Sequence, residues 1–371
     1  MERSQTPFYS RLMYILVSLI ALGYLAIIGK EIISPLMFAF LFAILLIPVA
    51  DFFERKWKFS RAISSLASIL VLMIIVGLIL YFLGSQLSNL VNDWPVLQKQ
   101  VGKAISELHI WVERTFKINA DKQMSYIDEG TSKMLSSTVS VVGVTLLTVS
   151  STFLFYAFVL LFTFFMLLNR RLLFSFIVGV FHSQHKETIH EISEQIKYII
   201  KRYILGLFLQ MCVIAIITCT VLAILGVKYA ILLGLVTAIF NIVPYIGIFT
   251  ALLISVLITF ATVSAGKALI VAIAMVCIHA LDGNVLMPLI VGSKVKLNAL
   301  IVMLGIVVGE MMWGIPGMFL CIPYIAIMKV IFDRIDTLKP WGMLLGDEEP
   351  ADKPVKKMRK KLDLEVFGKS S

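Results

Sequence analysis

The stretch Leu281–Asn298, LDGNVLMPLIVGSKVKLN, decides how the rest of the chain is read. It carries Asp282, Asn284, Lys294 and Lys296, yet apolar runs at Ala268–Ala280 and Leu300–Val308 flank it. Gly283, Pro288 and Gly292 each disfavour an unbroken helix, glycine through its freedom and proline through its missing N–H. In a soluble protein this would be a surface loop. Between membrane-embedded runs, interrupted backbone is tolerated only where protein or a water-filled cavity satisfies the freed N–H and C=O groups. A carboxylate beside such a break is a candidate ligand for an ion or polar solute.

Composition excludes a soluble domain. Of 371 residues, 59% are hydrophobic and 15% charged, against roughly 25% charged in an ordinary soluble domain. The apolar residues fall in blocks of about 20 or more, the length that crosses a bilayer core. The expected fold is therefore all-α, a polytopic membrane helical bundle of about eight transmembrane helices, with broken or re-entrant segments in its C-terminal half. The net charge of +10 sits in short links and the tail, which points to the cytoplasmic side of a bilayer and not to nucleic acid. Cys212, Cys219, Cys277 and Cys321 lie inside apolar blocks and read as small buried hydrophobes. No cofactor or metal is implied.

Residues 1–83 hold three N-terminal spans, near Arg11–Gly29, Ile33–Ala50 and Ala62–Leu83, with Lys30-Glu31 as a tight link between the first two. The first resembles a signal peptide in its basic start, but it is long, lacks a small-x-small cleavage site and precedes a second apolar block. Asp51–Arg61, DFFERKWKFSR, packs four basic residues into a short link and assigns it to the cytoplasm. No Lys or Arg stands between Arg61 and Lys99, so residues 84–140 are expected outside. There Leu90, Trp94, Leu97, Val101, Ile105, Leu108 and Val112 recur at helical spacing. That pattern fits an amphipathic helix packed on the outer face or a neighbouring copy; a substrate-capturing cap is the alternative.

Residues 141–168 form the fourth span, and 169–203 a cytoplasmic amphipathic helix or helix pair with Ile189, Ile192, Ile196, Ile199 and Tyr203 on one face. His182, His185 and His190 lie there among glutamates. HExxH is absent, because Glu194 stands where its second histidine would be, so a solvated face is read in place of a metal site. Residues 204–333 make a C-terminal transmembrane core, and 334–371 a basic cytoplasmic tail suited to anionic lipid. In the core, the run Ala230–Thr262 is too long for one crossing, and Pro244 and Gly247 within Asn241–Gly247 predict a kink or split. A further span near Leu297–Ile331 contains the breaker cluster Gly314-Ile315-Pro316-Gly317. Eight spans place both termini in the cytoplasm of an inner-membrane protein. Lys294 and Lys296 then fall outside, against the charge rule; a re-entrant Leu281–Lys296 would soften that conflict.

Asp282 is the first candidate for ion or substrate binding, since a charge at a helix centre costs about 2.5–3.5 kcal/mol without a role or partner. The plain alternative is an interfacial residue at a span end. Asn284 supplies a donor and acceptor nearby, Asn241 sits at the predicted split, and Glu310 is either a second functional acid or a helix-end residue. His279, one turn before Asp282, is a proton shuttle or a packed core histidine. Gln210 and Arg202 are weaker, Arg202 as an interface anchor. Pro244, Gly247, Gly283, Pro288, Gly292 and Pro316 are the helix-break or gating candidates.

Three segments carry a family resemblance: Phe240–Phe249, FNIVPYIGIF; Leu281–Gly292, LDGNVLMPLIVG; and Trp313–Lys329, WGIPGMFLCIPYIAIMK. Together, in this order, they resemble the AI-2E family of bacterial transporters, most strongly from about Lys201 to Asp333. The resemblance implies a secondary transporter driven by an ion gradient. Its implied activities are export of a small polar molecule such as the quorum-sensing signal autoinducer-2, or sodium or lithium/proton antiport. Two departures stand out: Asn298-Ala299 replaces a family His-Pro, and Glu310 follows Gly309 where a small residue is usual. The expected partners are the lipid bilayer, a small-molecule or cation substrate and further copies of the chain in a homo-oligomer. A channel-like pore and a non-transporting membrane scaffold are the competing readings. An ATP-driven pump lacks its phosphate loop, since Gly266-Lys267 has neither the upstream glycine nor the hydroxyl. An intramembrane enzyme lacks a nucleophile near His279 and Asp282.

Overall fold

The computed structural model describes residues 8–92, 152–180, 186–242, 246–290 and 297–347. In lipid a helix satisfies its own backbone, and the apolar blocks accordingly become helices. These are α1 (Phe8–Ile28), α2 (Lys30–Lys56) and α3 (Arg61–Asn92), then α4 (Thr152–Leu168) and α5 (Arg170–Val180). There follow α6 (Lys186–Ile224), α7 (Ala230–Phe240), α8 (Ile246–Thr262), α9 (Ala265–Leu281), α10 (Ala299–Trp313) and α11 (Ile315–Arg334). Among the described residues, five helices are long and apolar enough to cross a bilayer, or six with α4 and α5 taken as one bent pair. The polytopic all-α bundle is what the composition demanded.

One end of the bundle gathers the basic links. Arg170 donates to Asp51 at 2.8 Å and to Glu54 at 2.9 Å. Arg334, ending α11, pairs with Glu191 of α6 at 3.8 Å, and Leu297, just before α10, bridges to Gly346. The opposite end is marked by Lys267, whose Nζ donates to the Leu225 carbonyl at 3.0 Å.

Several segments differ from the sequence expectation. Lys30-Glu31 is not a hairpin link: Gly29 N–H donates to Leu25 O and Ile33 N–H to Gly29 O, both at 2.8 Å, so helical pairing passes from α1 into α2. The Ala230–Thr262 run does split. A Cβ on Gly247 would collide with the Phe240 carbonyl, so the chain loops tightly there and α7 and α8 pack together. Both limbs open at the Leu225–Lys267 end, and α7, 11 residues long, reaches about 16 Å, short of the ~30 Å bilayer core. This pair is a re-entrant hairpin, and Pro244 lies outside the described residues.

The Leu281–Asn298 stretch is the main correction. Helix continues unbroken past Gly283 and Pro288 to Ile290, absorbing the irregularity in one π turn, Asp282–Leu286. Pro288 has no N–H to return to the preceding turn, and a local shift to i→i+5 pairing accommodates that loss without a break. Gly292, Lys294 and Lys296 lie outside the described residues. Because the segment that turns back is α7–α8, α9 runs from the Lys267 end to the basic end. Leu297, one residue past Lys296, lies at that end, packed near Ile192, Ile199 and Val330.

The last expected span is two helices. Gly314, with φ +67°, reverses the chain, and Gly309 and Gly317 bring α10 and α11 into backbone contact that a Cβ on either would obstruct. Pro316 sits in the first turn of α11, where its missing donor is harmless. Residues expected to begin the tail instead fold back: Lys339–Leu345 is helical, and Lys329 Nζ donates to the Gly342 carbonyl at 3.4 Å.

Candidate functional site

Asp282 sits where α9 passes into its π turn. It continues the buried stripe Val271, Met275 and Ile278 and is 4% exposed. An ionised carboxylate only accepts hydrogen bonds, and both its oxygens are engaged. Gln210 Nε2, from the middle of α6, donates to Oδ1 at 2.7 Å. Asn241 Nδ2, at the hairpin tip just beyond α7, donates to Oδ2 at 2.8 Å. Three elements thus converge on one buried acid.

Its depth follows from helix register. Lys267 meets Leu225, and Asp282 meets Gln210; each pair is fifteen residues from the other along antiparallel α9 and α6. That is about 22 Å of helix. A charge at a helix centre costs about 2.5–3.5 kcal/mol, and two hydrogen bonds to a charged group contribute about 1.5–3 kcal/mol each. The two amide donors offset a cost of that size, and no cationic side chain is bonded to the carboxylate among the described residues.

His279 lies on the same face one turn earlier, 8% exposed, and neither ring nitrogen has a partner among the described residues. Asn284 is not brought to the site. Two residues past Asp282 is about 200° around a helix, and its Nδ2 donates to the Ala280 carbonyl at 2.8 Å on the exposed side. Glu310 is also elsewhere: it is exposed near the tip of the α10–α11 hairpin, and that tip is tied to the α1–α2 junction by Trp313 Nε1 donating to Ala26 O at 2.9 Å. Gly283 has open space around its Cα. Arg202 is exposed, with its guanidinium over the Tyr198 ring. Gln210 is the residue that sequence reasoning underrated; the available signal was a lone amide inside the apolar run Tyr203–Met211, since polar groups in spans face the bundle interior.

Comparison with known proteins agrees with this architecture. The family described as AI-2E family transporter matches residues 16–337. YueF of Bacillus subtilis (strain 168) is 26% identical over 337 residues, covering 86% of this chain and 89% of YueF. The protein named AI-2 transport protein TqsA, of Escherichia coli (strain K12), is 26% identical over 340 residues, covering 88% of this chain and 95% of TqsA. YrrI of Bacillus subtilis (strain 168) is 33% identical over 129 residues, about a third of either chain.

Proposed function

The chain belongs to the AI-2E transporter family, and from that premise we propose that this membrane transporter is a secondary carrier in which Asp282 binds and releases the coupling ion. The observation that carries the reading is the buried carboxylate shared between Gln210 on a crossing helix and Asn241 on a re-entrant tip.

The chemistry follows from donors and acceptors. Ionised, Asp282 accepts from both amides. A proton on Oδ2 turns that oxygen into a donor facing the Asn241 NH₂, also a donor, so the pair repels and the hairpin tip is released. A metal cation at the carboxylate has the same effect, because it also displaces N–H donors. Charge state and hairpin position are thereby linked, which is the requirement for driving one solute with the gradient of another. His279 offers a further polar group on the same face. The cargo is read as a small polar molecule, by similarity to the relative named an AI-2 transport protein, or as a cation exchanged for protons.

Companion proposals go with this. The basic end faces the cytoplasm of the inner membrane, by the distribution of Lys and Arg. The C-terminal end of α11 is on that side, whereas α1, which runs into α2 without a reversal, starts on the other, so the expectation of two cytoplasmic termini is not kept. The chain assembles as a homo-oligomer; α1 exposes apolar side chains nearly all round, Leu16, Ile20 and Tyr24 among them, and a second copy would cover them.

The test is flux in proteoliposomes under an imposed pH gradient, with a panel of polar solutes and monovalent cations. Saturable, gradient-driven flux is expected from the native chain and none from Asp282→Asn at equal yield and folding. Full activity of Asp282→Asn would remove the mechanism. Large unitary currents would favour the channel reading.

A further inference from the structure

The helix α5 leaves α4 at 71°, and its sides are divided sharply. On one side Phe174 packs on α6, edge-on to His190 with Lys197 Nζ 5.6 Å above its ring. On another, Leu172, Leu173, Phe176, Ile177 and Val180 project outward, with Leu172 and Phe176 68% and 67% exposed. At about 100° per residue these five fall within an arc of roughly 140°. Arg171, Ser175 and Gly179 occupy the remaining side. The base of the helix is fixed, because Arg170 is bound to Asp51 and Glu54 of α2.

The helix that α5 leaves, the other half of a bent pair apolar enough to cross a bilayer, exposes apolar side chains too. Immediately before the bend, α4 exposes Phe158, Leu161 and Phe165. If α4 stands near the bilayer normal, a 71° bend lays α5 within about 20° of the membrane plane at the end of that span. The surroundings carry the matching charge: Arg171, Lys201 and Arg202 are exposed at the same end of the bundle. A helix with one apolar arc, a side that bears Arg171 and small residues, further basic residues on the neighbouring α6 and a flat orientation at a span terminus is built to sit in the headgroup–acyl boundary, its apolar side buried about 5–10 Å. We propose that α5 is an in-plane interfacial helix whose Leu172–Val180 face is seated in the lipid of the leaflet at the basic end.

Spin labels test this in the full chain with Cys212, Cys219, Cys277 and Cys321 replaced by alanine, in proteoliposomes of zwitterionic and anionic phospholipid. A nitroxide at Phe176→Cys should collide with dissolved oxygen, which concentrates in lipid, several-fold more than with a water-soluble nickel chelate. A label at Ser175→Cys should show the reverse ratio. Equal nickel access at both positions would mean that the face is in water and would overturn the proposal. A label at 176 reached by neither quencher would mean that protein covers the face, which also overturns it. Leu172→Cys and Val180→Cys carry the same reading should the 176 variant fail to fold.

Discussion

Replacing Asn241 by alanine removes one of the two amides on Asp282 and leaves the other in place. Asn241 stands in the turn after α7, where its side-chain amide donates the 2.8 Å bond to Asp282 Oδ2. A hydrogen bond to a charged group contributes about 1.5–3 kcal/mol, and each 1.36 kcal/mol is a factor of ten. Opening of the α7–α8 hairpin should therefore become about 10- to 150-fold more frequent. Amide hydrogen exchange in nanodiscs reads this directly, because exchange of hairpin amides follows the opening equilibrium. Amides of α11, which do not touch the hairpin tip, serve as the internal reference. In Asp282→Asn the acceptor is neutral, a neutral bond contributes about 0.5–1.5 kcal/mol, and the same Asn241→Ala change should then add only about 2- to 10-fold. Unchanged hairpin exchange in Asn241→Ala, or equal increases in both backgrounds, would refute the idea that the carboxylate's charge holds the tip.

Gln210→Leu leaves Oδ1 unpaired and should lower gradient-driven flux by about tenfold or more without altering protein yield; flux at the native level would show that the α6 amide is dispensable. Gly317→Ala drives a Cβ into the Gly309 carbonyl and should cost about 1–3 kcal/mol in denaturant unfolding, while Gly266→Ala, with nothing within 4 Å of its added atom, should stay within about 0.5 kcal/mol. Arg170→Met strands Asp51 and Glu54, whose side chains are 37% and 16% exposed, and with partial solvent screening should cost about 1–3 kcal/mol. Adding Glu54→Gln should recover part of that loss; an additive, larger loss in the double variant would contradict the ion-pair assignment.

How much was legible depended on whether a local signal had one physical outcome. Apolar blocks of bilayer length have one, so the all-α membrane bundle was readable, but five or six helices of spanning length stand among the described residues where about eight spans were expected. Asn241–Gly247 was readable as a split because a proline and a glycine fall in a run too long for one crossing. Pro288 was misleading: a lost N–H can end a helix or be taken up by a π turn, and only the surroundings choose. Gly314 was likewise ambiguous between kink and reversal; what decides it is the pairing of Gly309 with Gly317, a contact between positions that single-residue reading treats separately. Lys30-Glu31 looked like a link by charge, yet helical hydrogen bonds run through Gly29. At the site, Asp282 stood out by its cost in lipid, whereas its partners came from 72 and 41 residues away in sequence, a separation no local pattern encodes.

The helix α6 is a single rod of 39 residues, about 58 Å from end to end. Its first turns carry His190, Glu191 and Lys197, which touch α5 and α11 outside the apolar core, and Gln210 rides on the same rod further in. One continuous element therefore carries both the contacts outside the apolar core and the amide on the buried carboxylate, so where the protruding turns are held also sets where Gln210 stands against Asp282.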